Sequence, residues 1–243
     1  MHSYGLIGFP LSHSFSKKYF TEKFIREGIA NAKFENYEIP SIQHLYGVLE
    51  NEDLCGLAVT IPYKESVIPF LNDMSPEVKS INACNCIKIT NGKLIGYNTD
   101  YLGFKGSFQK QMLPHHTDAI ILGTGGSSKA VAYALIELGI KYTIVSRNSS
   151  NKNLISYKDL SAELMASHQV IINCTPVGTA PNIHEAPEIP YHFLTKKHYL
   201  FDLVYNPALT SFLKLGQERG AIIQNGYDML ALQAEENWKI WVQ

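Results

Sequence analysis

Ile120-Ile121-Leu122-Gly123-Thr124-Gly125-Gly126-Ser127-Ser128-Lys129-Ala130 runs from an apolar, β-rich stretch through three glycines into a small-residue helix start. A strand, a glycine turn and a helix in direct succession form the phosphate-binding unit of dinucleotide-binding folds. Gly123 permits the tight turn, Gly125 and Gly126 let the backbone approach a pyrophosphate, and the helix N-terminus offers N–H donors and a favourable dipole. Thr124 and Ser127 complete the loop as candidate cofactor contacts. Ser128 stands where the usual third glycine would be, so the flanking strand and helix carry the assignment.

Working outward, residues 119–122, 142–145, 170–173, 199–203 and 221–224 read as strands and 128–138 as a helix, a βα series that predicts a doubly wound, Rossmann-like domain. An acid roughly 20 residues beyond the glycine loop would accept from the ribose 2′-hydroxyl of NAD. Ser146-Arg147-Asn148 stands there instead, and the Arg147 guanidinium suits a 2′-phosphate, with Lys152 adding charge. NADP is therefore the expected cofactor.

The first hundred residues alternate strands at 4–8, 34–39 and 56–60 with helices at 16–26 and 42–49. A short helix is expected near 65–71, and strands at 85–89 and 93–96 flank Asn91-Gly92, a two-residue hairpin signal. Asn98-Thr99-Asp100 supplies capping side chains before a linker helix at 101–112, and residues 227–241 form a partly buried helix expected to cross back to the first domain. The expected fold class is α/β with two domains, 1–101 plus 226–243 and 102–225.

Twenty-one basic against twenty-two acidic residues leave no global field for nucleic acid, so small-molecule partners are expected. The N-terminus lacks a basic region and its apolar run is too short for a signal peptide or membrane span, which predicts a cytoplasmic protein without a membrane partner. Cys55, Cys84, Cys86 and Cys174 have neither CxxC pairing nor neighbouring histidines; reduced, buried thiols and no metal site are expected.

Gly8-Phe9-Pro10-Leu11-Ser12-His13-Ser14-Phe15-Ser16 resembles the GxPxxHSxS loop of shikimate dehydrogenases. Val59-Thr60-Ile61-Pro62-Tyr63-Lys64 is similar to that family's VTxPxK segment, and Asn98-Thr99-Asp100 to its NTD turn. Asn173-Cys174-Thr175-Pro176-Val177-Gly178, Asp202 to Pro207 and Gly226-Tyr227-Asp228-Met229-Leu230 with Gln233 resemble its later blocks, in order. The resemblance spans almost the whole chain. Ala58 and Phe9 depart from the family's usual residues, which leaves the choice between shikimate and quinate open.

The resemblance implies an NADPH-dependent, reversible reduction of 3-dehydroshikimate to shikimate in aromatic amino-acid (chorismate) biosynthesis. Reducing a ring ketone needs a cationic acid at the developing oxyanion. Lys64 fits that role, with Asp100 orienting it and holding the substrate hydroxyl, the two facing each other across the interdomain cleft. Ser14 and Ser16 are candidate carboxylate contacts, Ser16 being equally readable as a helix cap. Thr60, Asn85, Tyr205 and Gln233 are carried over as ring or carboxylate contacts. Thr175, Val204, Gly226 and Met229 are carried over toward the nicotinamide, and Met229 reads as well as a core residue. An NAD-dependent quinate/shikimate dehydrogenase, a folate-linked dehydrogenase and a non-catalytic NADP-binding sensor are the alternatives, and a monomer or homodimer is expected.

Overall fold

In the computed structural model, which describes residues 1–11, 14–147 and 154–243, the chain divides into two units, Met1–Asp100 with Gln233–Gln243 and Tyr101–Leu232. Each unit is built on its own six-stranded sheet.

In the first unit β1 (His2–Gly8), α1 (Phe15–Arg26) and β2 (Ala32–Glu38) make a parallel βαβ unit, and α2 (Leu45–Leu49) leads to β3 (Leu54–Val59) on the other side of β1. After β4 (Asp73–Met74) and α3 (Pro76–Ile81), the hairpin β5 (Cys86–Thr90) and β6 (Lys93–Tyr97) completes the order β2-β1-β3-β5-β6-β4. Asn91 and Gly92 both take positive φ, as a tight two-residue hairpin turn requires. β5 runs antiparallel to both neighbours, so its start lies at the same edge of the sheet as the ends of β1, β3 and β6. Strand residues alternate between faces. Ile7, Leu57 and Val59 pack with Leu45 and Val67, whereas Tyr4, Leu6 and Ala58 pack with Phe20, Phe24 and Phe34 of the opposite layer.

The second unit opens with α4 (Asp100–Phe108), whose first residue closes the preceding unit, then β7 (Asp118–Leu122), α5 (Gly126–Glu137), β8 (Lys141–Val145) and β9 (Leu154–Ile155). α6 (Ala162–Ser167), β10 (Val170–Asn173), β11 (Tyr199–Asp202), α7 (Ser211–Gln217), β12 (Ile222–Asn225) and α8 (Tyr227–Val242) follow. The sheet order is β12-β11-β10-β7-β8-β9 with parallel pairing throughout, the doubly wound arrangement whose direction reverses between β7 and β10. Ala119, Ile121, Ile172 and Phe201 face Val131, Leu135, Phe104 and Phe108, and Ile120, Leu122, Ile171 and Leu200 face Met165, Phe212 and Leu213. Helices thus cover both faces, and the near-continuous apolar strands follow from that double burial.

The end of α8 belongs to the first unit, where Trp241 donates its indole N–H to Ile87 O at 3.0 Å and stacks on Tyr4. Lys23 of α1, 4% exposed, is held there between Glu235 Oε2 at 2.8 Å and Glu27 Oε1 at 2.9 Å, and Tyr19 donates to Glu235. A buried ammonium is tolerated only with such partners.

Two expected helices are shorter than their patterns. Residues 65–71 form turns and one 3₁₀ turn, Ile68–Phe70, with Pro69 removing a backbone donor at its centre. The linker helix stops at Phe108 rather than 112, where Lys110 N bonds to Ser107 O and Gln111 N to Phe108 O, tightening the chain out of α geometry. The helix α3 was not anticipated, although Ser75 caps it by accepting from Val78 N and Pro76 starts it.

Candidate active site

Three loops meet at the edge of the first sheet where β1, β3 and β6 end. The segment that presents Lys64 is fastened on both sides: Thr60 N donates to Ile7 O at 3.0 Å, the Tyr63 hydroxyl to Ile39 O at 2.5 Å, and Cys84 N to Lys64 O at 2.7 Å. Lys64 therefore leaves the strand on a rigid base, with its side chain 14% exposed. Its Nζ lies 2.6 Å from Oδ2 of Asp100, whose side chain is 7% exposed. Both residues lie in the first unit, so the pair forms within that unit and not between residues of different units.

Asn85 immediately precedes β5 at the same edge, with its N–H on Tyr97 O and its carbonyl taking Val59 N. Its Nδ2 donates to Asp100 Oδ1 and to Thr99 Oγ1, both at 2.9 Å, and its Oδ1 accepts from Thr99 N at 2.6 Å. Gln233 Oε1 lies 3.3 Å from Asn85 Nδ2 and accepts from Asn237 Nδ2 at 3.2 Å. The arrangement is a partly shielded ammonium–carboxylate pair on a buried amide frame, chemistry suited to giving and taking protons at a polar ligand.

In the second unit the glycine loop leaves β7 at its carboxyl end. Gly123 has φ +106, a conformation that L side chains rarely adopt, and a Cβ there would meet Thr175 Cγ2 at 3.1 Å. The loop thus sits against the turn after β10, at the point where strand order reverses. Gly125 caps α5, and a Cβ built on it would enter open space. Ser128 turns inward, 2% exposed, with its hydroxyl on Gly125 O at 2.6 Å, so its side chain closes the loop.

A family model described as the shikimate dehydrogenase substrate binding domain matches residues 6–87. The shikimate dehydrogenase (NADP(+)) of Aquifex aeolicus is 35% identical over 249 residues, covering 98% of this chain and 90% of that protein. The chain belongs to the shikimate dehydrogenase family. Shikimate dehydrogenase 1 from Peptoclostridium difficile superimposes with a TM-score of 0.87 at 36% identity, covering 100% of this chain and 92% of that one. The Thermus thermophilus shikimate 5-dehydrogenase, solved in complex with NADP(H) and shikimate, gives 0.87 at 28% identity, covering 99% and 93%.

Among the positions that the shikimate dehydrogenase resemblance singles out, Lys64, Asp100, Asn85 and Gln233 are joined by hydrogen bonds. Ser14 and Ser16 stand at the start of α1, after β1, and Thr60 follows β3. Ser14 is the helix cap, accepting from Lys17 N at 3.5 Å, so Ser16 lies inside the first turn and is not the cap. Ser146 and Arg147 follow β8; Arg147 is exposed, and its charge partly offsets the burial that raises the Tyr157 phenol. Asn148 and Lys152 lie outside the described residues, as do Ser12 and His13 of the entry loop. Tyr205, Val204, Thr175 and Gly226 follow strands of the second sheet, and burial raises the Tyr205 phenol. Met229 is 5% exposed and packs in the second unit's core with Phe104 and Phe108.

Two functional-looking positions escaped the sequence reading. Asp202, fully buried at the end of β11, accepts from Asn173 Nδ2 at 2.9 Å, Val204 N at 3.0 Å and the Thr210 hydroxyl at 2.6 Å. Asn173 Oδ1 in turn accepts from the hydroxyl of Thr175 at 2.6 Å, so one carboxyl braces the loops after β10 and β11. Asn237, 1% exposed on α8, accepts from Thr99 Oγ1 at 2.6 Å. Its spacing of four from Gln233 was the available signal. No described helix is long and apolar enough to cross a membrane, and no group of metal-ligating side chains occurs among the described residues.

Proposed function

We propose that this chain reduces 3-dehydroshikimate to shikimate reversibly with NADPH, in the aromatic amino-acid (chorismate) pathway, and that Lys64 and Asp100 carry the proton chemistry. The observation that carries the reading is the 2.6 Å Lys64–Asp100 pair at the carboxyl edge of the first sheet. Lys64 donates its proton to the ketone oxygen as that oxygen gains negative charge, and takes it back when the alcohol is oxidised. Asp100 holds the ammonium by Oδ2 and accepts from the neighbouring substrate hydroxyl, and Asn85 fixes the carboxylate plane through Oδ1. Ser14 and Ser16, at the positive end of α1, bind the substrate carboxylate. Thr60, Tyr205 and Gln233 bind its remaining oxygens.

The second unit fits a dinucleotide. The open space over Gly125 accommodates a pyrophosphate, which Gly123, Thr124, Gly125, Gly126 and Ser127 would hold through the loop and helix amides. Ser146, Arg147 and Asn148 would hold the adenosine end, Arg147 by its charge on a 2′-phosphate. Thr175, Val204, Gly226 and Met229 would border the nicotinamide, which when bound supplies the hydride. We assign the protein to the cytoplasm, as a monomer or homodimer, in keeping with four cysteines outside any disulfide and a net charge of −1.

Nicotinamide absorbance, followed with shikimate or quinate against NADP⁺ or NAD⁺, tests the reading. Turnover of shikimate with NADP⁺ is expected. Turnover confined to quinate and NAD⁺ would move the chain to that activity, and NADP⁺ binding without turnover of either acid would make it a sensor.

A further inference from the structure

We propose that Asn173 and Asp202 are positioning residues that hold the loops after β10 and β11 as one ordered wall for the nicotinamide end of the cofactor, an inference that rests on the bordering role given to Thr175, Val204 and Gly226 above. The two residues are partners in the register of β10 and β11, each ends its strand, and both are fully buried. Polar groups in such a place must be satisfied by the chain that leaves the strands.

Asn173 does this for the loop after β10. Its Oδ1 accepts from Thr175 N at 3.0 Å and from the Thr175 hydroxyl at 2.6 Å, and its Nδ2 donates to Val177 O at 3.3 Å. A backbone N–H can only donate and a backbone carbonyl can only accept, so the loop itself sets the sense of this amide. The Thr175 hydroxyl accepts from Val177 N at 3.3 Å and sends its own proton to Asn173. The methyl of the same side chain faces the glycine loop, with Cγ2 3.1 Å from where a Cβ on Gly123 would stand.

Asp202 couples that loop to the next two. Its Oδ1 accepts from Asn173 Nδ2 at 2.9 Å and from Val204 N at 3.0 Å, while Val204 O accepts from Gly226 N at 3.4 Å. Its Oδ2 accepts from the hydroxyl of Thr210, the cap of α7, at 2.6 Å. One oxygen thus serves the loops and the other the helix, so the two duties can be cut separately. At 0% exposure neither Asn173 nor Asp202 meets a ligand, and both act through the backbone that they hold.

Equilibrium binding of NADPH and of 2′-phospho-ADP-ribose, the same molecule without its nicotinamide, to wild type, N173A, D202N and T210V tests the inference, with urea midpoints for all four. Wild type should bind NADPH more tightly than the fragment. N173A releases Thr175 and Val177 and should weaken NADPH by about five- to twentyfold while the fragment stays within about twofold. D202N keeps an oxygen on Asn173 and Val204, and its NH2 can donate to the Thr210 hydroxyl, so it should hold NADPH within about threefold of wild type. T210V loses the cap and the bond to Oδ2, and should lower the urea midpoint while keeping the preference for NADPH over the fragment. That selective pattern supports the proposal. Losses of NADPH and fragment binding that run together in N173A and T210V, in step with their urea midpoints, would make the network a structural brace only and overturn it. A wild type that binds the fragment as tightly as NADPH overturns it too. If N173A does not fold, N173S, whose side chain is too short to reach Thr175 and Asp202 together, is read by the same two outcomes. Selective binding in a wild type that turns over neither acid would defeat the proposed reaction and support this inference, whereas a wild type that binds no NADPH defeats both.

Discussion

Asn85 donates to Oδ1 of Asp100 at 2.9 Å, on the oxygen opposite the one that holds Lys64. The carboxylate is gripped at both ends by elements of one sheet edge, so Lys64 is aimed by a rigid anion. Replacing Lys64 with Ala removes the proton donor and should lower kcat by about 10²- to 10⁴-fold, with circular dichroism unchanged. Near-normal turnover of Lys64→Ala would remove this residue from the chemistry.

Arg147 stands exposed just beyond β8, where the ribose of a dinucleotide held by the glycine loop would lie. A charge-assisted bond to a 2′-phosphate contributes about 1.5–3 kcal/mol, so Arg147→Ala should raise KM for NADPH by about tenfold or more. KM for NADH, which lacks the phosphate, should hardly move. Equal changes for the two cofactors would show that Arg147 does not read the phosphate.

Patterns with a local cause were legible in the sequence. The alternation of Leu6 and Ile7 or Ile120 and Ile121 between two cores follows from strand geometry, and the strand–glycine–helix passage at Gly123 needs only neighbouring residues. The bond between Lys64 and Asp100 spans 36 positions and was reached through the family resemblance, not through spacing. What stayed hidden depends on tertiary closure. Asp202 looks like an ordinary strand-end acid until Thr210 and Asn173 fold onto it, and Asn237 looks like a surface polar residue until Thr99 arrives beneath it. Helix ends were misjudged where backbone hydrogen bonding, at Pro69 and after Phe108, overrode the apolar pattern.

Gly226 joins β12 to α8 directly against the chain after β11: a Cβ there would lie 2.2 Å from Leu203 O and 2.8 Å from Leu203 C. Backbone cannot yield as a flexible side chain does. Gly226→Ala should therefore destabilise the protein by about 1–3 kcal/mol, read as a lower urea midpoint. A midpoint equal to wild type would mean that the β11 and β12 loops move apart at little cost.

Burial raises the Asp202 carboxyl from 3.8 to about 6, against the hydrogen bonds from Thr210, Val204 and Asn173 that lower it. The other titratable groups facing it, Cys174 and Tyr191, are themselves pushed up by burial and then by this carboxyl, so neither supplies a positive charge. A carboxyl whose folded value exceeds its unfolded one stabilises the fold in full below the unfolded value and loses that contribution as pH rises through the folded value. Asp202 therefore costs the native state on the order of 3 kcal/mol at neutral pH relative to acid. Asp202→Asn carries no such charge, so the stability of the variant relative to wild type should improve by on the order of 2–3 kcal/mol between about pH 4 and about pH 7. Urea denaturation of both proteins across that range measures the difference, and a flat difference would show that Asp202 keeps an ordinary carboxylate value and braces its loops without a pH-dependent cost.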